Sequence, residues 1–209
     1  MKVHSDSFQH GEFMPVPLAF GKRSADGKID LADNKNPHLA WSDLPEGTKS
    51  IAVICMDQDV PTKPDDVNQE GRVVPADLPR TDFSHWVLVD ASPSSSIPEG
   101  AHSDGVTARG KDGPTAPDGT RHGINDFTSW FASDADMSGD YFGYDGGCPP
   151  FNDAIIHRYT FTVYALDVDR VAVDGNFTAA DVLAAIEGHV LGQASIMGKY
   201  TINPDAQEP

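Results

Sequence analysis

The chain has 209 residues, with 15 Lys and Arg against 32 Asp and Glu, a formal net charge of −17. A fold of this length buries enough apolar surface for a core without metal or disulfide staples, and 39% apolar with 22% charged residues is a globular composition. So acidic a surface repels nucleic-acid phosphates and the anionic leaflet of a membrane, which argues against both as partners.

The opening stretch Met1–Phe13 carries one Lys and no apolar run, so it does not read as a secretory signal. No run reaches the 18 apolar residues of a membrane span, and Cys55 and Cys148 make no disulfide framework. The expected setting is therefore reduced and cytoplasmic, without integral membrane association. Asp outnumbers Glu by 26 to 6, and there are 19 Gly and 16 Pro. Asp favours caps and turns over helix interiors, so the excess predicts a loop-rich, strand-rich protein. A solvated, salt-tolerant surface accounts for the same charge.

Asn36–Trp41, then a Pro-Glu-Gly turn, precede the run Ser50–Met56 (SIAVICM), which is apolar, β-branched and bounded by turn residues. That pattern predicts a buried strand. Further strands are expected at Phe83–Val89 (FSHWVLV) and Tyr159–Leu166 (YTFTVYAL). Short strands at irregular spacing, with no repeating helix between them, predict a β-sandwich or barrel. Two long polar segments, 62–82 and 101–141, interrupt them. Loops of that length act as lids or interfaces, or are disordered. Strand-like runs flank both, so 1–209 reads as a single domain.

One helix is expected, over Phe177–Gly192. Thr178 followed by Asp181 forms a capping box, and Phe177 with Val182 a hydrophobic staple. Val182, Leu183, Ile186 and Val190 recur at helical spacing, with Gly192 as terminator. His189 would lie beside Ile186, while His102 and His122, in the long loop, would be solvated.

Four local patterns carry chemistry. In Asp57-Gln58-Asp59-Val60-Pro61, two acids directly follow a strand, and extended backbone points both to one side. Such a pair binds a cation, orients a histidine, does acid–base work, or, most commonly, caps a turn. His85 sits within a strand, where a packed or surface histidine is commoner than a ligand. Gly143–Pro150 (GYDGGCPP) is a glycine-rich bend whose N–H groups could form an anion-binding concavity. Its Cys148–Pro149 and Pro149–Pro150 bonds are candidates for the cis form. His157-Arg158-Tyr159 opens the next strand.

Taken in order, these patterns resemble the phosphatidylethanolamine-binding protein family. They are most similar to its bacterial branch, called Raf-kinase-inhibitor-like. The flanks agree: Asn36-Pro37-His38-Leu39-Ala40-Trp41 with LPEGTKS resembles the family's opening, and GHVLGQASIMGKY its ending. The resemblance implies a mainly β fold, a two-sheet β-sandwich with a larger and a smaller sheet and a few peripheral helices, one near the C-terminus. It also implies a small pocket for phosphate, acetate or a phospholipid headgroup. Carried over, the pocket residues are Asp57, Asp59, Pro61, His85, Cys148, Pro149, His157 and Tyr159. Both histidines would each offer an N–H to the anion, with Asp57 holding a tautomer. The family implies no cofactor, a headgroup or a protein such as a kinase as partner, and is compatible with a homodimer. Two prolines of the family pattern are absent, replaced by Gln58 and Gly147. The enzymatic alternative is a hydrolase or phosphoryl-transfer activity using Asp57, His85 and His157, with Cys148 as nucleophile. A divalent-metal site on the same residues, or an interaction module whose pocket is vestigial, are further alternatives.

Overall fold

A computed structural model describes residues 1–209. Nine strands are formed: β1 Lys2–His4, β2 Gly21–Arg23, β3 Ile29–Leu31, β4 Ala40–Ser42, β5 Ser50–Pro61, β6 Arg80–Ala91, β7 Arg121–His122, β8 His157–Leu166 and β9 Val190–Tyr200. The helices are α1 Phe127–Trp130 and α2 Ala179–Ala185. Strands β7-β6-β5-β8-β9 make one antiparallel sheet, while β1-β4 and β2-β3 form two small two-stranded sheets.

The uninterrupted apolar run of β5 follows from its place at the centre of the large sheet, where both faces are covered. Ile51, Val53 and Cys55, with Trp86, Leu88 and Phe161 on neighbouring strands, pack against Leu18, Leu39 and Trp41 of the N-terminal layer. Ala52 and Ile54, with Val87 and Val89, pack instead against Phe177, Val182 and Ile186 around α2. The result is mainly β, with the expected smaller sheet divided into two short pairs.

The Thr178–Asp181 capping box is formed, and Phe177 and Val182 are buried together as a staple requires. The helix is shorter than its periodicity predicts. It closes at Ile186, with Gly188 at φ +81 in the left-handed region, and Val190 and Gly192 belong to β9, paired with Leu166 and Ala165. Backbone pairing with β8 overrides the helical spacing there. Consequently Leu183 is exposed, and His189 bonds Asp167 at 2.8 Å rather than packing in the helix.

The two polar segments are ordered against the sheet. Thr62–Pro79 is tied down by Asn152, whose amide donates to the carbonyls of Asp66, Gln69 and Arg72. The second segment carries β7 and α1, and Phe127 packs with Phe20 and Tyr141 in a third apolar cluster. His102 and His122 are buried, not solvated. Asn36 accepts the N–H groups of His102 and Ser103, drawing the loop inward, and the two rings bond each other at 3.0 Å. The cis peptide falls at Gly113–Pro114, not at either bond flanking Pro149.

Candidate functional site

The acids and histidines of the sequence patterns meet at one end of the large sheet, where pairing is irregular. Cys55 pairs with Trp86 and Met56 with Ser84, so His85 is the extra residue of a β-bulge. Bulges re-aim a side chain at such places. The ring of His85 turns inward beside Asp57, which pairs with Tyr159 on β8, and His157 opens that same strand. A second irregularity lies between Asp57 and Val60. It separates the two acids: Asp57 faces a cavity, whereas Asp59 is gripped by Arg158, with contacts of 2.9 and 2.7 Å. The alternation that would place both carboxylates on one side is lost at the bulge. Asp59 still contributes its N–H, which donates to Asp57 Oδ1 at 2.8 Å.

His157 has no free ring nitrogen. Nδ1 contacts Asp57 Oδ2 at 2.7 Å and Nε2 contacts Asp153 Oδ2 at 3.1 Å. Asp153 is held in turn by both terminal nitrogens of Arg80, at 2.6 and 2.9 Å. Burial alone would push His157 down, but the two carboxylates outweigh it and raise its pKa to about 9. Burial likewise pushes Asp57 up, yet the charge and hydrogen bond of His157, aided by His85, hold it below its usual range. The buried chain Asp57–His157–Asp153–Arg80 is thus two anions and two cations, neutral as a unit. Pairing of this kind keeps buried charge tolerable.

His85 behaves differently. Its Nδ1 lies 2.8 Å from the carbonyl oxygen of Asp145, so Nδ1 carries the proton. The Asp145 carboxylate is fixed by Asn34, Asn125 and Lys111 at 2.7–2.8 Å. Burial lowers the His85 pKa, only partly offset by Asp57 and the Asp145 carbonyl. Its Nε2 bonds nothing and stands 4.0 Å from Asp57 Oδ2. The Tyr159 hydroxyl, beside the Asp57 carboxylate, is buried without a well-formed hydrogen bond.

These atoms line a cavity of about 320 Å³ whose inner end is formed by Asp57, His85, His157 and Tyr159. Pro61, Cys148 and Pro149 also line it, and its remaining wall is largely apolar. Of the eight residues singled out in the sequence, seven line the cavity, and Asp59 braces Asp57 from outside it. No group of three or more His, Cys, Asp or Glu is arranged to hold a metal ion. Burial pushes the Cys148 thiol up to about 12, so it stays protonated at neutral pH. Asp153 and Arg80 escaped sequence reasoning. Asp153 lies four residues before His157 in a non-helical segment, and Arg80 arrives from across the sheet. Asp145, within the GYDGG bend, is the one missed residue that a search for His partners could have reached.

The family model for phosphatidylethanolamine-binding protein matches residues 4–201. The chain belongs to that family. It is 31% identical to the UPF0098 protein YbhB of Escherichia coli over 201 residues, covering 96% of this chain and 100% of that one. A UPF0098 protein of Methanothermobacter thermautotrophicus is 33% identical over 80% of this chain and 83% of its own. Among solved structures, E. coli YbcL, described as a new member of the mammalian PEBP family, superposes with a TM-score of 0.66 at 28% identity. That match covers 97% of this chain and 98% of YbcL. No helix in this family member is long and apolar enough to cross a membrane.

Proposed function

We propose that the cavity binds a small anion, inorganic phosphate or the phosphate of a phospholipid headgroup, and that it does so without catalysis. The observation that carries this is the Tyr159 hydroxyl, buried without a hydrogen-bond partner, beside His85, whose Nε2 makes no hydrogen bond in the protein, both on the wall of the cavity. A buried polar group without a partner is costly, so the site favours a ligand that takes the Tyr159 hydrogen bond and meets the open nitrogen of His85. An anion oxygen accepts from Tyr159, and a nearby negative charge favours the protonated form of His85, whose Nε2 then donates. Because Asp57, His157, Asp153 and Arg80 already neutralise one another, the added proton leaves the site one positive charge for the anion. His157 then serves as a positioning residue that holds Asp57, not as a donor to the ligand.

The same geometry weighs against a hydrolase. The one thiol in the cavity is held protonated by burial, and both His157 protons are committed to carboxylates. A kinase or other protein as partner, and a second copy of this chain, are readings that the family suggests. Isothermal titration calorimetry with phosphate and with phosphoethanolamine at neutral pH tests the proposal. Saturable one-site heats for either are expected, and no saturable heat for both would overturn it.

A further inference from the structure

The bulge that turns His85 into the cavity also removes it from the β5 ladder, so its orientation has to be set from elsewhere. Asp145 sets it. The Asp145 N–H donates to the His85 carbonyl at 2.9 Å, and the Asp145 carbonyl accepts the ring Nδ1–H of His85 at 2.8 Å. One residue of the GYDGG bend thus grips both the main chain and the ring of the bulged histidine. Which imidazole nitrogen meets a ligand follows from the bond that the other nitrogen makes, so this grip leaves Nε2 as the open one.

The bend is itself clamped from both sides. Asn34 accepts the Gly146 N–H at 2.8 Å and donates to Asp145 Oδ1 at 2.7 Å. Asn125, two residues before α1, donates to the Gly143 carbonyl at 3.0 Å and to Asp145 Oδ2 at 2.8 Å. Lys111 donates to Asp145 Oδ1 at 2.7 Å and is the one cation on this fully buried carboxylate. Neither Asp145 nor any of its three side-chain donors lines the cavity, so whatever they do to a ligand they do through His85. The charged groups that face His85 are Asp57, paired with His157, Asp145, paired with Lys111, and Asp126, which accepts the Ser84 N–H at 2.6 Å. The Lys111 side chain keeps 19% exposure, so the network meets solvent within segment 101–141.

We infer that Asp145 and Lys111 are positioning residues of the anion site, and that through them segment 101–141 holds His85 with Nε2 turned to the ligand. The inference rests on the anion-binding reading above and adds to it the device that orients the histidine. A ligand-contacting side chain is only as well placed as the groups behind it. Here the strand ladder does not supply that support, and a buried ion pair between two loops does.

Nitrogen-resolved NMR of the ligand-free His85 ring, calorimetry with inorganic phosphate and urea unfolding test it, on the full chain and on Asp145→Asn, Lys111→Met and Lys111→Arg. The unaltered protein should show His85 as a single tautomer protonated at Nδ1. Asp145→Asn keeps the size of the side chain but turns an amide N–H₂ toward neighbouring donors. It should mix the two tautomers and weaken phosphate about fivefold or more. Charge alone predicts the opposite sign, because removing a carboxylate favours an anion. Lys111→Met should also mix the tautomers and weaken phosphate, and it decides the question if Asp145→Asn does not fold. Lys111→Arg, which keeps a cation on Asp145, should retain both the single tautomer and the affinity. An Asp145→Asn protein with one tautomer and equal or tighter phosphate binding would overturn the inference and leave the anion site standing. So would a Lys111→Met protein that loses stability while keeping its tautomer and its affinity, the mark of a merely structural role. Failure of the unaltered protein to bind phosphate would instead overturn the anion site itself, and the inference with it.

Discussion

His157 stands between two buried carboxylates, 2.7 Å from Asp57 on one ring nitrogen and 3.1 Å from Asp153 on the other. Three chain segments meet there, since Asp57 ends the apolar run of β5, His157 opens β8 and Asp153 lies in the connection before it. Removing the cation leaves two carboxylates facing each other out of water. His157→Ala should therefore destabilise the fold by about 3–5 kcal/mol, read as a lowered urea midpoint with an unchanged slope. Asp57→Asn combined with His157→Gln should cost less than the sum of the single changes, because the two act in one network.

Stability should fall on both sides of a maximum near the ordinary histidine pKa. His157 is raised to about 9 in the fold, so its contribution is fully present below about 6.5 and is lost as pH climbs through 9. His122 is lowered to about 3 by burial, with His102 and Lys111 adding to the effect. It stays neutral in the fold while the unfolded chain takes up a proton, so stability is lost as pH falls from about 6.5 toward 3. Urea midpoints measured across pH should show both limbs. His122→Asn should flatten part of the acid limb and leave the alkaline limb, whereas His157→Gln should flatten the alkaline limb and also shift the acid one, because Asp57 and Asp153 lose the charge that holds them low.

Tyr159→Phe separates binding from folding. The hydroxyl is buried and bonds nothing within the protein, so deleting it should change stability by no more than about 0.5 kcal/mol, in either direction. Phosphate affinity should nevertheless drop by about tenfold or more, the usual worth of a hydrogen bond to a charged group. Loss of stability without loss of affinity would remove the tyrosine from the site.

The thiol of Cys148 should be inert. With its pKa pushed up to about 12, and Cys55 fully buried and likewise raised, neither thiol should react with Ellman's reagent in the folded protein at pH 7. Both should react once the chain is unfolded in urea. Rapid labelling of the native protein at Cys148 would revive the nucleophile reading.

Much of this arrangement is legible in the sequence, for identifiable reasons. Ser50–Met56 reads as a buried strand because β5 is covered on both faces, which gives an unbroken apolar run. The capping box at Thr178 is local chemistry and survives unchanged. The far end of α2 is not local. Val190 continues a helical period but is claimed by the β8 ladder, a long-range pairing that periodicity cannot see. The site divides in the same way. Asp57, His85, His157 and Tyr159 are visible because short patterns carry them. Arg80 and Asp153 are invisible because neither has a telling neighbour in sequence, and they meet only when β6 and the 149–156 connection close around His157. His102 and His122 look like loop residues until Asn36, some 66 residues earlier, binds the backbone at His102. The apparent pairing of Asp57 with Asp59 fails because a bulge breaks the alternation between them.

The most direct test of the central claim is a two-dimensional NMR titration of the histidine ring signals with inorganic phosphate at pH 7 and fixed salt. The anion-site account predicts a saturable shift of the His85 ring toward its imidazolium position. His157 should already be protonated, with a titration midpoint near 9, and should keep its charge state. A His85 ring that stays neutral and unshifted at saturating phosphate would contradict the account. So would shifts spread evenly over all eight histidines.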